Sequence, residues 1–432
     1  MKKEIKQRIE RIKFSEIPDG YKKTKLGVMP IEWLEICWGN FIEEKINFTS
    51  DTDAYPLYSL TIKNGVIPKS ERYERSHLVK KDEDTYKIVQ KDDFVYNPMN
   101  IRFGAVAIYN EDIDVAVSGY YDIFKINLNA NKTYLANLFK SKMMLNYFDL
   151  VATGSLVEKR RVHFSQLVSF KLPLPPLPEQ EKISKILTTW DTAIALKEQY
   201  IKTLEARKTG LMQKLLLPLG NEQFAIGDVT IDKSKWKMIK MNKLFNRLTQ
   251  KNIENNSNVL TISAQKGLIS QRDFFNKEIA SENKTSYYLM ESGDFAYNKS
   301  YSNGYPFGAI KRLKYYEKGI VSPLYICFKP KDYENINYDY VEHFFDSGYI
   351  NKGISQISQE GARNHGLLNI GVDDFFSIKI HIPSLPEQTA IASMLSLADL
   401  EISLQKAELE TLKLQKKGLM QVLLTGKVRV AT

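Results

Sequence analysis

Leu177-Pro178-Glu179-Gln180-Glu181-Lys182-Ile183 opens a segment whose apolar residues recur in heptads, and Leu385-Pro386-Glu387-Gln388-Thr389-Ala390-Ile391 opens a second such segment 208 residues later. In the first, Ile183, Leu187, Trp190, Ile194, Ile201, Leu204, Leu211 and Leu215 follow one another in steps of four and three once Lys197 and Lys208 are counted in the row. That period of 3.5 residues predicts a coiled-coil seam on a long helix. Pro178 suits a first helical turn, where its missing N–H would be unpaired anyway, and Pro218 and Gly220 predict the stop. Adding the offset gives Ile391, Leu395, Ala398, Ile402, Leu409, Leu412, Leu419 and Leu423, with Gln405 and Lys416 at the polar positions. Gly210-Leu211-Met212-Gln213 returns without a gap as Gly418-Leu419-Met420-Gln421.

Each helix of about 38 residues would be roughly 57 Å long. Two matched seams on one chain imply that the helices pack on each other; the alternative is that each stripe packs on its own globular domain. A pseudo-twofold axis crossing the helices would make them antiparallel. Polar seam residues would weaken the pair and fix its register.

The repeat extends upstream. Asp93-Phe94-Val95-Tyr96-Asn97 matches Asp294-Phe295-Ala296-Tyr297-Asn298, Phe103-Gly104-Ala105 matches Phe307-Gly308-Ala309, Val117-Ser118 matches Val321-Ser322, and Trp33 matches Trp236. The offset drifts among these anchors, as insertions in the surface loops of two copies of one domain would make it do. Short β-branched and aromatic runs at Asp93–Tyr96, Ala105–Tyr109 and Ile123–Leu128 read as strands, and Tyr134–Leu150 and Val341–Tyr349 as helices. The expected fold class is α+β: two similar domains separated by two long antiparallel coiled-coil helices. The segments are an N-terminal helix at 1–13, a first domain at 14–172, a first spacer helix at 173–222, a second domain at 223–381, and a second spacer helix with a C-terminal tail at 382–432.

The 432 residues are 43% hydrophobic and 26% charged, which excludes a disordered or collagen-like chain. The net charge of +10 permits a nucleic-acid partner without locating it: residues 1–13 carry six basic and two acidic side chains, while residues 383–428 balance five against five. The two cysteines, Cys37 and Cys327, have no ligand-spaced neighbours and read as reduced and buried. There is no signal peptide pattern at the start and no apolar run of about 18 residues, so a cytoplasmic protein without a membrane span is expected.

Catalytic motifs are missing. There is no GxxxxGKS/T or GxGxxG segment, the five histidines are isolated, and no carboxylate pair with a following lysine suggests a metal-dependent nuclease. Asn97-Pro98-Met99-Asn100 superficially resembles the Asn-Pro-Pro-aromatic turn of adenine methyltransferases, but it lacks the second proline, the aromatic and a preceding glycine-rich loop. A strand-ending turn is the better reading. No catalytic and no metal-binding residue is expected.

Arginine on guanine and asparagine on adenine are common base readouts, so loops carrying both types are candidates for DNA contact. In the first domain these are Asn100, Arg102, Lys159, Arg160 and Arg161; in the second, Lys299, Tyr301, Asn303, Arg363 and Asn364. Lys311-Arg312 is a further basic cluster.

Two copies ending in Leu-Pro-Glu-Gln, a heptad helix and Gly-Leu-Met-Gln resemble the specificity (S) subunit of type I restriction-modification systems over nearly the whole chain. The resemblance implies that each globular unit is a target recognition domain for one half of a bipartite double-stranded DNA sequence. Two modification subunits that methylate adenine, and restriction subunits, would assemble on it. S-adenosylmethionine, ATP and Mg would then belong to those partners, with no cofactor in this chain and no enzymatic activity of its own. The competing expectations are a fused or stand-alone methyltransferase or nuclease, and a coiled-coil scaffold without sequence readout. The segment 1–13 looks like an extra helix packing against the coiled coil.

Overall fold

The computed structural model describes residues 3–14, 16–69, 86–169, 171–217, 222–263, 267–275, 284–301, 304–331, 334–358 and 368–431. Two compact units emerge, one from residues 1–198 with 408–432 and the other from residues 199–407. The first long helix, Leu177–Leu216, and the second, Leu385–Leu423, each give one part to each unit. Among the described residues no helix is long and apolar enough to cross a membrane.

Each unit is built on the same four-stranded antiparallel sheet. In the first unit the order is Val106–Ile108, Phe94–Tyr96, Asp122–Ile126 and Ile42–Lys45; in the second, Ala309–Arg312, Phe295–Asn298, Ile326–Pro330 and Phe245–Leu248. Aromatic residues lock both sheets in the same way. Phe94 stacks on Phe124 with centroids 5.3 Å apart, and Phe295 on Phe328 at 5.6 Å. One helical phenylalanine stands edge-on to each pair, Phe139 in the first unit and Phe345 in the second. Offset stacks capped by an edge are the arrangement the ring quadrupoles favour.

Incoming and outgoing strands close each unit. Leu34–Cys37 pairs with Lys171–Leu174, and Lys237–Lys240 pairs with Lys379–Ile382. This pairing brings the tryptophan before one strand to the Leu-Pro-Glu-Gln after the other. The Trp33 indole N–H donates to Glu179 Oε2 at 3.3 Å, and that of Trp236 donates to Glu387 Oε1 at 3.3 Å. The neighbouring glutamine repeats as well. Gln180 accepts from the Asn131 backbone N–H at 3.0 Å and donates to the Pro175 carbonyl at 2.8 Å, while Gln388 accepts from Asn337 N–H at 2.9 Å and donates to Pro383 at 3.0 Å. Asn131 and Asn337 in turn cap the helices Lys132–Phe139 and Tyr338–Asp346 through their side chains.

The heptad seam forms inside each unit. Ile183, Leu187, Leu204, Ile391, Leu395 and Leu409 are buried, whereas Leu196, Leu397, Leu400, Leu404 and Leu414, off the seam, are exposed. In the first unit Asp191 pairs with Lys416 and Lys197 with Glu408. In the second, Glu205 pairs with Lys406 and Lys208 with Asp399. As the number rises on one helix it falls on the other, so the two run antiparallel. Three of the four polar seam residues, Lys197, Lys208 and Lys416, thus point at an acid on the opposite helix.

Three local expectations change. The predicted helix Tyr134–Leu150 is two, Lys132–Phe139 and Lys142–Val151, because Ser141 turns out of the helix and caps the second by accepting from Met144 N–H. In the second domain the helix is Tyr338–Asp346, ending before Tyr349. Cys37 is exposed, not buried, because it ends a strand of a two-stranded sheet; Cys327 lies in the core. Pro218 and Gly220 fall outside the described residues; the helix itself ends at Leu216.

The C-terminal tail completes the first unit. Gly426 packs where a Cβ would meet Pro30 Cδ at 2.4 Å, with φ of +67°, and its carbonyl accepts from the Tyr21 hydroxyl at 2.8 Å. Arg429 then grips the buried Glu179 with two bonds, Nε to Oε1 at 2.7 Å and Nη2 to Oε2 at 2.8 Å. Glu387 is served differently, by the N–H groups of Asp232 and Ser384 and the Ser384 hydroxyl. Arg429→Ala strands a buried carboxylate and is expected to destabilise the first unit by about 1–3 kcal/mol. Hydrogen exchange read by mass spectrometry should show lost protection around Trp33 and Glu179 and none around Trp236; equal loss in both units would refute the clamp.

Candidate nucleic-acid interface

Loops that follow the strands Phe94–Tyr96 and Phe295–Asn298 carry Asn100, Arg102, Lys299 and Tyr301. After the strand Phe94–Tyr96, Asn97 Oδ1 accepts the backbone N–H of Met99 at 3.0 Å and of Asn100 at 3.2 Å, so its side chain is committed to an Asx turn. The matching Asn298 accepts from Ser300 N–H at 3.0 Å. This is the strand-ending turn expected for Asn97-Pro98-Met99-Asn100. Beside it Gly308 is irreplaceable, since a Cβ there would lie 2.1 Å from the Asn298 carbonyl oxygen at a φ of +78°.

Arg102 does not present a fork to a base. Its side chain is only 5% exposed and binds Asp149 at 2.8 Å, with further bonds to the carbonyls of Val157 at 3.1 Å and Met99 at 3.4 Å. Arg160 is likewise turned inward, onto the Ala152 carbonyl at 2.9 Å and 3.1 Å. The reason is shared: the loop between Ala152 and Val162 leaves main-chain carbonyls without strand partners, and guanidinium groups supply five donors each. Both arginines therefore brace this loop, which Thr153 and Arg161 close by exchanging backbone hydrogen bonds.

What the braced loop shows to solvent is different. Leu156, Val157 and Lys159 are exposed, and Arg161 lies over the exposed Tyr120 ring at 5.3 Å. Phe103, 57% exposed, sits on the buried Arg102 at 4.8 Å. Asn100 is half-buried next to them. Tyr120, Phe103, Leu156 and Val157 were not legible as surface residues, because apolar residues in a strand-rich sequence read as core.

In the second unit Tyr301 is 62% exposed, and Lys299 is half-buried with its carbonyl accepting from Leu368 N–H. Asn303, Arg363 and Asn364 lie outside the described residues. The Lys311-Arg312 cluster faces protein: Lys311 pairs with Asp346 at 2.6 Å, and Arg312 with Glu342 at 3.0 Å and with Asp339.

Among the described residues no group of three or more His, Cys, Asp or Glu converges as a metal site. The nearest approach to a nucleophile, base and acid is Ser396, whose Oγ is 3.0 Å from His343 Nε2, with Asp399 Oδ2 3.8 Å from Nδ1. Asp399 instead holds Lys208 at 2.5 Å, and burial lowers the His343 pKa to about 4, so the cluster joins a helix to the coiled coil without poising a base.

The Asp of the Asp-Phe-x-Tyr-Asn repeat differs between the copies. Asp93 meets Lys45 at 3.1 Å; by strand register the place of Lys45 is taken by Leu248 in the second unit. Burial therefore pushes Asp294 up to about 6. The native carboxyl stays protonated above the ordinary value of 3.8, so stability is fully present below that pH and is lost as pH rises through about 6. Asp294→Asn keeps an oxygen for the Glu291 N–H and is expected to flatten this dependence. Urea midpoints at pH 4 and pH 7 check it; an unchanged pH slope would contradict the burial argument.

The family described as type I restriction modification DNA specificity domain matches this chain twice, over residues 36–206 and 220–414. The type I restriction enzyme MjaX specificity subunit of Methanocaldococcus jannaschii is 25% identical over 437 aligned residues, spanning 96% of this chain and 98% of the relative. The MjaVIII specificity subunit of the same organism is 29% identical over 280 residues, 61% of this chain and 63% of the relative. A chain from a solved structure concerned with complex assembly and conformational transition of the type I R-M system shares the fold with a TM-score of 0.57 at 13% identity, covering 93% of this chain and 99% of that one.

Proposed function

Because this chain belongs to the family of type I restriction-modification DNA specificity proteins and carries the family's domain twice, we propose that its two units each read one half of a bipartite double-stranded DNA target. The chain is a specificity subunit, a noncatalytic recognition component. The observation that carries the two-half-site reading is that the scaffold is repeated and the exposed loops are not. Both sheets share strand order, aromatic lock and Trp–Glu clamp, whereas the exposed Tyr120 stands where the second unit has the exposed Leu324, and Asn100 where it has the exposed Tyr301. Identical scaffolds with different loops read different sequences.

The antiparallel helices serve as spacer between the half-sites. Two modification subunits would dock on this chain and methylate adenine with S-adenosylmethionine, and restriction subunits would add ATP- and Mg-dependent cleavage. Those reactions need no group from this chain, whose part is to hold the partners at the sequence it has found. A cytoplasmic location follows from that substrate.

Selection from a randomised duplex library at fixed salt, by this chain with its modification subunit, is expected to return two short motifs with a fixed gap. Exchanging residues 224–381 for the equivalent segment of another family member should change one motif alone. Adding four residues to both long helices lengthens them by about 6 Å and should widen the gap by about two base pairs. No enrichment would favour a scaffold, and methyl transfer by the chain alone would favour an enzyme; an unchanged gap would remove the spacer role.

Within the first domain, Arg161→Ala is expected to weaken specific binding about tenfold and relax one motif. Arg102→Ala should instead lower stability with little change in base preference among the molecules that remain folded. Titration of labelled duplexes beside urea unfolding separates the two, and a reversed pattern would overturn the loop assignment.

A further inference from the structure

The N-terminal helix, Lys3–Lys13, precedes the first hairpin of the first unit. Arg8 ties it down, donating to the Tyr21 hydroxyl at 3.2 Å with its guanidinium 5.6 Å from that ring, and Ile12 is buried. Ile12 forms one wall of a groove of about 620 Å³ whose other walls are the hairpin at Lys23–Val28, the helix Lys142–Val151 and the end of the second long helix. Lys23, Lys25, Lys142 and Lys427 stand around it, and no acidic side chain among the described residues lines it. Among the described residues none of these four lysines has an ion-pair partner. Its apolar lining includes Leu26 and Tyr147, both half-buried, and Leu150, 79% exposed.

We propose that this groove is the docking site for an acidic protein segment that carries an apolar anchor side chain. Four like charges gathered round one concavity repel one another, and an occupant bearing carboxylates relieves that repulsion. An exposed leucine in the lining calls for an apolar partner, which a sugar-phosphate backbone does not supply. The groove shares no residue with the loop that carries Lys159 and Arg161. Its hairpin lysines belong to the first copy, since strand register puts Ala225 and Gly227 where the first unit has Lys23 and Lys25. One occupant per chain is therefore expected. The proposal stands apart from the DNA reading.

The test uses the full chain and a fluorescein-labelled helical peptide of roughly 15 residues with leucines along one face and glutamates elsewhere. A peptide with the leucines changed to serine and a labelled duplex of about 20 base pairs are run beside it. The leucine peptide should bind and the serine peptide should not. Combined Lys23→Gln, Lys25→Gln, Lys142→Gln and Lys427→Gln should weaken peptide binding about tenfold or more, as should Leu150→Ser, with duplex affinity held within about twofold. Circular dichroism checks that the variants fold. Peptide binding that is absent, or unaffected by the variants, overturns the proposal. Loss of duplex binding in step with the lysines would also overturn it, by making the groove a phosphate surface.

Discussion

A glutamate buried against a tryptophan holds each half of this protein together. Glu179 and Glu387 each stand at the start of a long helix, and Trp33 and Trp236 each precede the strand that closes a unit. A carboxylate removed from water needs donors on every side, and the indole N–H supplies only one of them. The rest come from different places in the two copies. Main-chain N–H groups of Asp232 and Ser384 surround Glu387 and, with their help against the upward push of burial, hold its pKa below the ordinary carboxylate range. Glu179 recruits Arg429 from the far end of the chain, and the hydrogen bonds to Glu179 raise the arginine's pKa. In the first unit the closing strand pair and the C-terminal tail both meet at that one charge.

The seam lysines follow the same rule at lower stakes. A lysine in a heptad row weakens apolar packing, yet Lys197, Lys208 and Lys416 each reach an acid across the helix pair. These pairs are partly exposed, so each contributes on the order of 0–1 kcal/mol. Their larger effect is on register, because sliding one helix past the other by a turn would leave every lysine without its acid. For the spacer role proposed above, a fixed register matters more than extra stability.

Divergence between the copies sits where the scaffold does not constrain it. Phe94 with Phe124 and Phe295 with Phe328 repeat almost to the angle, since both stacks are 11° from parallel. The loop from Ala152 to Val162 has its own bracing arginines, and its exposed side chains are of the types that contact nucleic acid: lysine, arginine over tyrosine, and apolar residues. Bracing matters for recognition because an ordered loop loses less entropy when it meets its target.

The repeat, the two long helices, their seam residues, the α+β class and the family were all set by the sequence alone, because periodicity and duplicated motifs are local patterns that survive without coordinates. Even antiparallel pairing was anticipated from the repeat by a symmetry argument. Partner choice was decided only by the tertiary structure. Arg102 and Arg160 read as base contacts and are braces, and Cys37 reads as buried and is exposed. A basic side chain has the same appearance in sequence whether it meets a phosphate or a carbonyl. What it meets is fixed by residues far away along the chain, as Arg429 is fixed by a glutamate 250 positions before it.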